Sequence, residues 1–381
     1  MHTFLVSKYD LITVYAVVLP INMIYSKADK NLERTENMEN SKRRVEITFL
    51  NVLLCLLVIF IHVSSSPVSN LNKDSLQYLI VMVPWRLSAF VVQGFIFLSG
   101  LKLFLKGCDN FNYGVFIKKR LKTILLPYAL WVMIYYVYFC AIGYFPFSLK
   151  DYIMYLLDGS IVSPFYFIIA ITQYYILMPL WILLVKKIHP AILIIGSMVI
   201  MVLAKAYLPS ILGQSFRYYD RIFTTYLFYW IFGCCAGLHY EKFKTAIKRL
   251  FPLATLLFIT VASFDACLSY GSFAKGMYFP YLENLHVLYC VFAILFLYGL
   301  FLRLSKLNVP FMKLIKGIDV SSYYIYLSHC FVMNIADHTM AILGIGSIGA
   351  AYLMRIISVY SITLSLCILY STIKSRRKKI C

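Results

Sequence analysis

Two histidines lie alone in apolar stretches of this sequence, where an ionisable side chain is costly. His62 ends the run IFIH at 59–62, and His329 ends the run YLSH at 326–329. An ionisable residue in the middle of a membrane-spanning helix costs about 2.5–3.5 kcal/mol on insertion scales, so it is a functional candidate by default. A neutral imidazole can take a proton from a hydroxyl near pH 7. The two histidines are therefore the candidate catalytic residues.

Further polar residues lie in or at the ends of the same kind of segment. An arginine there can hold a phosphate or a developing oxyanion, and amide or carboxylate groups can bind hydroxyls. Snorkelling of the arginines to lipid headgroups is the alternative, and Glu283 and His286 could instead lie at the membrane surface. The candidate substrate-binding residues are Arg86, Arg355, Gln93 and Glu283.

The sequence motifs of several other enzyme classes are absent. There is no Gly-x-Ser-x-Gly motif for a serine nucleophile, no Walker A motif and no Gly-x-Gly-x-x-Gly. The first predicted outer loop offers one carboxylate, Asp74, which argues against a lipid-linked glycosyltransferase. Histidines with arginines match what acyl transfer to an alcohol needs.

The segments that must position these residues are hydrophobic helices. The chain has 381 residues, of which 61% are hydrophobic and 14% charged, against about 45–50% and about 25% in soluble proteins. None of its apolar runs alternates with the period of two of a β-barrel strand. A helix of about 20 apolar residues spans a bilayer. We therefore expect an all-α polytopic bundle of ten transmembrane helices, at about 46–65, 79–104, 123–143, 164–185, 190–208, 222–240, 251–270, 284–303, 321–343 and 349–371.

The net charge of +20 is explained by topology. From residue 42 onward, 24 basic residues lie before the first predicted helix or at and after the end of every second one, and six lie in or beside the alternate loops. Because cytoplasmic loops are enriched in Lys and Arg, both ends of the ten-helix body are predicted to be cytoplasmic. No separate basic domain exists, so we expect no nucleic-acid partner.

The two ends of the chain lie outside this body. Residues 1–41 combine a short apolar segment with a polar linker, whose role the sequence leaves open between an interfacial segment, a signal-like core and an eleventh span. Residues 42–373 are expected to form the transmembrane domain, and residues 374–381 a basic cytoplasmic tail.

Cysteine spacing predicts no metal site. Most of the ten cysteines fall inside the apolar segments, where cysteine acts as a small hydrophobic residue. There is no Cys-x-x-Cys and no Cys/His pair at zinc spacing.

Several motifs, taken in order, resemble the acyltransferase 3 family of integral membrane acyltransferases. Residues 49–62 are similar to its opening helix, which ends in an essential histidine. Residues 93–100 (QGFIFLSG) resemble its stretch ending in Ser-Gly, and residues 116–128 resemble its basic loop before a Pro-Tyr helix start. Residues 165–180 and 321–329 (SSYYIYLSH) resemble two later family segments. The likeness covers about residues 43–371.

One position departs from the family pattern. The family places an arginine or lysine eleven positions before its essential histidine, and this chain has Asn51 there. The departure puts the basic partner of His62 in doubt.

The resemblance implies an enzyme of about ten helices that acylates sugars. It implies transfer of an acyl group, usually acetyl from the co-substrate acetyl-CoA, to a hydroxyl of a cell-surface or exported glycan or glycolipid, with no bound cofactor. A bacterial plasma membrane is the expected location. The basic cluster Lys118, Lys119, Arg120 and Lys122 could attract the CoA phosphates, although topology alone also explains it.

Two other functions stay open at this point. A glycan exporter would also use a polar cavity in a helix bundle, but it should show repeated halves, and none is evident. A non-catalytic family member is the other alternative, and Asn51 is its best argument. The expected partners are the acyl-CoA donor, the glycan acceptor and membrane lipid. The sequence leaves open whether the protein forms a homo-oligomer.

Overall fold

The chain folds into helices joined by short turns, and the residues that the structure describes contain no β-strand. The computed structural model describes residues 44–213, 218–307 and 309–380. The predicted all-α class is confirmed. The predicted N-terminal appendage, residues 1–41, lies outside the described residues.

Fourteen α-helices make up the described part of the chain. They are α1 (Val45–Asn70), α2 (Leu76–Ser88), α3 (Val91–Phe104), α4 (Tyr113–Arg120), α5 (Leu126–Ala141), α6 (Leu149–Asp158), α7 (Tyr166–Ile176), α8 (Met178–Lys187), α9 (Pro190–Leu212), α10 (Leu227–Leu238), α11 (Tyr240–Lys275), α12 (Leu282–Leu304), α13 (Met312–Ile342) and α14 (Ile348–Ile380). A π-helical turn, Leu121–Leu125, joins α4 to α5.

Seven helices or helix runs in the described residues are long and apolar enough to cross a membrane, or eight if a bent pair counts as one. The seven lie at seven of the ten predicted positions, and the protein is a multi-pass membrane protein. They are Val45–Asn70, Leu76–Phe104, Tyr113–Ala141, Pro190–Leu212, Tyr240–Lys275, Leu282–Leu304 and Ile348–Ile373.

The other three predicted spans are helical but differ from a simple crossing. The segment at 164–185 is interrupted at Leu177, where α7 ends and α8 begins with a proline in its first turn. The segment at 222–240 forms the short apolar run Phe223–Leu238. The segment at 321–343 lies on α13, which ends at Ile342 and is long but carries polar residues. The count of ten spans is therefore not confirmed.

Within the second span, a local break positions Arg86. Pro84 lies inside α2 and lacks the N–H that a helix interior uses, and the Ser88 hydroxyl donates to the Pro84 carbonyl at 2.7 Å. The helix ends there, and α3 starts at Val91. Arg86 consequently occupies the last turn of α2.

The described residues divide into two compact units. One comprises residues 96–213 and 218–240. Its core contains Trp230, which stacks on the Tyr174 ring with a centroid separation of 4.5 Å. Gly233 and Gly237, four residues apart on α10, face the backbone of α3 at Phe97 and Leu101. Small residues at this spacing let two helix backbones approach closely in a membrane.

The other unit comprises residues 44–95, 241–307 and 309–380. Helices α1, α13 and α14 pack against one another in it. Helices α11 and α12 pack through stacked aromatic rings, with Phe258 and Phe296 only 4.4 Å apart. The two candidate histidines, and the ion pairs of Arg86 and Arg355, all belong to this unit.

Replacing Gly233 with alanine should lower the free energy of unfolding in detergent by about 1–3 kcal/mol, the scale of core overpacking. The added Cβ would overlap the Phe97 carbonyl, and backbone must move to admit it.

The matched control is Gly196→Ala on α9, where a Cβ meets nothing within 4 Å. Chemical denaturation monitored by tryptophan fluorescence would measure both variants. Equal stability of Gly233→Ala and Gly196→Ala would contradict the close contact between α3 and α10.

Candidate active site

The two histidines predicted to be catalytic face each other in the structure. The ring centroids of His62 and His329 lie 5.2 Å apart, with the ring planes tilted by 43°. His329 is fully buried, whereas His62 is half-buried. The structure thus brings both residues to one place and leaves His62 the more accessible of the two.

The register of two parallel helices sets this pair. Asn51 of α1 contacts Asp319 of α13. Eleven residues further along α1 and ten further along α13, His62 meets His329. Because each residue advances a helix by about 1.5 Å, α1 and α13 advance by nearly the same distance over about three turns. A run of contacts that advances in the same direction on both helices requires parallel packing.

Helix α14 runs antiparallel to both and completes a three-helix group. The Tyr360 hydroxyl donates to the Leu56 carbonyl at 2.8 Å, and Tyr352 lies 3.0 Å from Ser64. Toward the other end of α14, Ser371 accepts from the Ser321 hydroxyl at 2.8 Å. These hydrogen bonds fix α14 on the same two helices that carry the histidines.

Backbone carbonyls determine which nitrogen of His329 carries the proton. Its Nδ1 lies 2.8 Å from the Tyr326 carbonyl and 3.1 Å from the Ile325 carbonyl. A carbonyl accepts and never donates, so Nδ1 must hold a hydrogen. In the neutral ring, Nε2 is then the unprotonated nitrogen. His329 therefore presents a basic lone pair on Nε2.

The asparagine that departs from the family pattern has a defined partner. The Asn51 amide donates to Asp319 at 2.8 Å and to the Ser322 hydroxyl at 3.2 Å. Thr48 also donates to Asp319, at 3.2 Å. Two neutral donors of α1 therefore bind this carboxylate.

Arg86 forms a buried ion pair with a residue that was not among the predicted site residues. Its Nε and Nη2 donate to the two carboxylate oxygens of Asp265, each at 3.1 Å. The same carboxylate contacts His286, whose Nδ1 lies 3.0 Å from Asp265 Oδ2. Glu283 lies 3.7 Å from Arg86 at the edge of this group. These ion pairs and hydrogen bonds therefore connect helices α2, α11 and α12.

The signal for Asp265 was present in the sequence. It is an isolated acid in a long apolar helix, and it is fully buried in the structure. A bidentate arginine–carboxylate pair is among the stronger polar interactions, because it uses two charge-assisted hydrogen bonds. His286, which could have lain at the membrane surface, is instead buried against this pair.

The remaining predicted substrate-binding residues have their partners outside the histidine pair. Arg355 of α14 binds Asp337 of α13 through two hydrogen bonds, one of them Nη2 to Oδ2 at 2.8 Å. The Gln93 amide lies against the carbonyls of Ala89 and Phe90, at 3.1 and 3.2 Å. Of the four predicted binding residues, only Arg86 and Glu283 are brought together.

The basic cluster lies in the other unit, on α4 and the π-helical turn that follows. Lys118, Lys119 and Lys122 are exposed. The Arg120 guanidinium lies over two rings, 4.9 Å from the Phe116 centroid and 4.8 Å from the Tyr175 centroid. Its Nε is buried without a hydrogen-bond partner in the described residues. Stacking thus holds a donor-rich planar group in place.

One group of side chains here has the composition of a metal site. Ligand atoms of His62, His329 and Cys330 lie within 4.8 Å of one another. No zinc spacing is visible in the sequence because these residues come from two helices.

Replacing Asp265 with alanine should destabilise the protein by about 3–5 kcal/mol, because Arg86 would keep a buried charge without its bidentate partner. Replacing both residues, as Arg86→Met with Asp265→Leu, should recover most of the loss. The measurement is the unfolding free energy in detergent.

Asp74→Asn is the control, since Asp74 pairs with Lys275 at an exposed site, where that lysine lowers the pKa of the carboxyl. It should leave stability nearly unchanged. A loss in the double variant as large as in Asp265→Ala would contradict the buried-charge explanation.

Comparison with known proteins gives one match. The model of the acyltransferase 3 family, an acyltransferase domain, matches residues 44–372. Searches of curated proteins and of solved structures found no match. The match begins at the start of α1, includes both histidines and ends within α14. The chain therefore belongs to the acyltransferase 3 family, and it is a multi-pass membrane protein of acyltransferase type.

Proposed function

We propose that this protein transfers an acetyl group from acetyl-CoA to a hydroxyl of a cell-surface or exported glycan, in a bacterial plasma membrane. The observation that carries the proposal is the contact between His62 and His329, at 5.2 Å between ring centroids. Two imidazoles facing each other inside a helix group are suited to moving a proton. Family membership supports the acyl-transfer class.

The reaction begins with removal of the acceptor proton. An imidazole nitrogen of His62, the more accessible ring, takes the proton from the glycan hydroxyl. The hydroxyl oxygen bonds to the thioester carbonyl carbon and gives a tetrahedral oxyanion. Collapse of this intermediate breaks the carbon–sulfur bond. The CoA sulfur leaves as a thiolate and takes the proton back from the imidazolium.

His329 supports this step from within the helix group. Its Nδ1 is held by the Ile325 and Tyr326 carbonyls, so the ring is fixed and Nε2 stays an acceptor. A fixed hydrogen-bond acceptor next to His62 can bind the glycan hydroxyl or receive its proton. Preorganised groups of this kind need no rearrangement during the reaction.

Donor recognition is assigned to the basic cluster of α4. Lys118, Lys119 and Lys122 are exposed cations that attract the CoA phosphates. Arg120 adds direction, because its guanidinium is held flat by Phe116 and Tyr175. The π-helical turn that follows is a local irregularity of the kind frequent at functional sites.

Acceptor binding falls first to Glu283 among the predicted residues. Its side chain is 62% exposed, whereas those of Arg86 and Arg355 are 8% and 15% exposed and already pair with carboxylates. A carboxylate accepts hydrogen bonds from several sugar hydroxyls. We assign Arg86 and Arg355 to holding helices together through their ion pairs, and Gln93 to stabilising the turn before α3.

His62→Ala should lower acetyl transfer by a factor on the order of 10²–10⁴, the usual contribution of a general base. The control is His338→Ala, an exposed histidine on α13. Transfer is followed by mass spectrometry of surface glycans in cells with equal amounts of inserted protein. Acetylation at the normal rate in His62→Ala would overturn the assignment.

Arg120→Ala should raise KM for acetyl-CoA severalfold with little change in kcat, because it removes a binding group and leaves the histidines intact. Arg120→Lys should recover part of the loss, since it keeps the charge and lacks the planar fork.

Lys187→Ala, an exposed cation at the end of α8, is the matched control for Arg120. Release of CoA thiol by purified protein measures KM and kcat for each variant. An unchanged KM in Arg120→Ala, or an equal rise in Lys187→Ala, would contradict donor binding at Arg120.

A further inference from the structure

We propose that His62, His329 and Cys330 form a binding site for a soft divalent metal ion, with Zn²⁺ as the ion of best-matched chemistry. Each residue offers one ligand atom, and the three atoms lie within 4.8 Å of one another. Two imidazoles and one thiol are nitrogen and sulfur ligands, which select zinc-like ions over magnesium or calcium.

One pair of ligand atoms already has the separation that bound zinc requires. The Cys330 Sγ lies 3.4 Å from His329 Nε2. Zinc bonds nitrogen at about 2.0 Å and sulfur at about 2.3 Å, so ligand atoms around a tetrahedral ion lie about 3.3–3.6 Å apart. The two ligand atoms on α13 therefore already have the separation of a zinc-bound pair. Only the contact to α1 must shorten.

The tautomer of His329 is the one that a metal ligand requires. The carbonyls of Ile325 and Tyr326 hold the hydrogen on Nδ1, which leaves the lone pair on Nε2, the ring nitrogen that lies 3.4 Å from Cys330 Sγ. Metal-binding histidines usually donate their second ring nitrogen to a carbonyl or carboxylate, which fixes the ring and strengthens the ligand.

His62 supplies the third ligand and the adjustable part of the site. His329 and Cys330 are buried, whereas the His62 ring is half-buried on the neighbouring helix. A side-chain rotation of His62 can shorten its distance to the other two ligand atoms. Three protein ligands leave the fourth zinc position to water or another small ligand, as in open zinc sites.

Binding would release one proton and use the lone pairs that the proposed reaction needs. The Cys330 thiol must give up its hydrogen to become a thiolate ligand, so affinity rises with pH. The metal would also occupy His62 and His329, so that Zn²⁺ competes with proton transfer. This inhibition rests on the proposed function, whereas the binding itself does not.

The experiment uses the purified full-length chain in detergent, freed of metal by a chelator and titrated with Co²⁺ or Zn²⁺. We expect one ion per chain, and a thiolate-to-cobalt charge-transfer band with Co²⁺. The Cys330→Ser variant should lose the band, and the His62→Ala variant should bind more weakly. The control is Cys290→Ser, a fully buried cysteine of the same unit outside the group, which should keep the band.

X-ray absorption of the zinc-loaded native chain tests the site without any variant. We expect one sulfur at about 2.3 Å and nitrogen at about 2.0 Å. Lack of stoichiometric binding, a zinc shell without sulfur, or a cobalt band that persists in Cys330→Ser would overturn the proposal. If His62→Ala abolishes acetyl transfer and the native chain binds no zinc, the proposed function stands and the metal site falls.

Discussion

Helices α1 and α13 run in parallel, with Asn51 against Asp319 near one end and His62 against His329 three turns further along. The helices rise equally per residue, so this register decides which side chains meet at each depth. A shift by one residue would turn His62 away from His329. The antiparallel α14 holds both helices through side-chain hydrogen bonds, and so preserves the distance on which the proposed proton transfer depends.

A second constraint comes from the absence of water in the hydrocarbon region, where a buried charge needs a partner. Arg86 meets this need through Asp265, and Arg355 through Asp337. Each pair joins different helices, so the ionic groups hold the helices of this unit together. The exposed Glu283 and the stacked Arg120 have other roles in our proposal. Glu283 binds the glycan acceptor, and Arg120 binds the acetyl-CoA donor.

The sequence predicted what depends on composition and local pattern. Long apolar runs indicated the helices, and lone polar residues within them indicated His62 and His329. The sequence could not predict the partners of these residues, because the partners come from distant helices. Nothing near Arg86 in the sequence indicated Asp265. Cys330 became a candidate metal ligand only when the structure placed His62 of α1 beside it and His329. The count of ten spans is not confirmed, because an apolar stretch of the sequence can continue through a break between two helices, as at Leu177.

The most direct measurement of the central claim is a double-mutant cycle on acetyl transfer, using His62→Ala, His329→Ala and both together. If the two imidazoles act as one unit, the double variant should be about as slow as the slower single variant, since either loss disables the pair. Rates should be normalised to the amount of folded, inserted protein. Losses that multiply in the double variant would show that the histidines act independently, and would contradict the account.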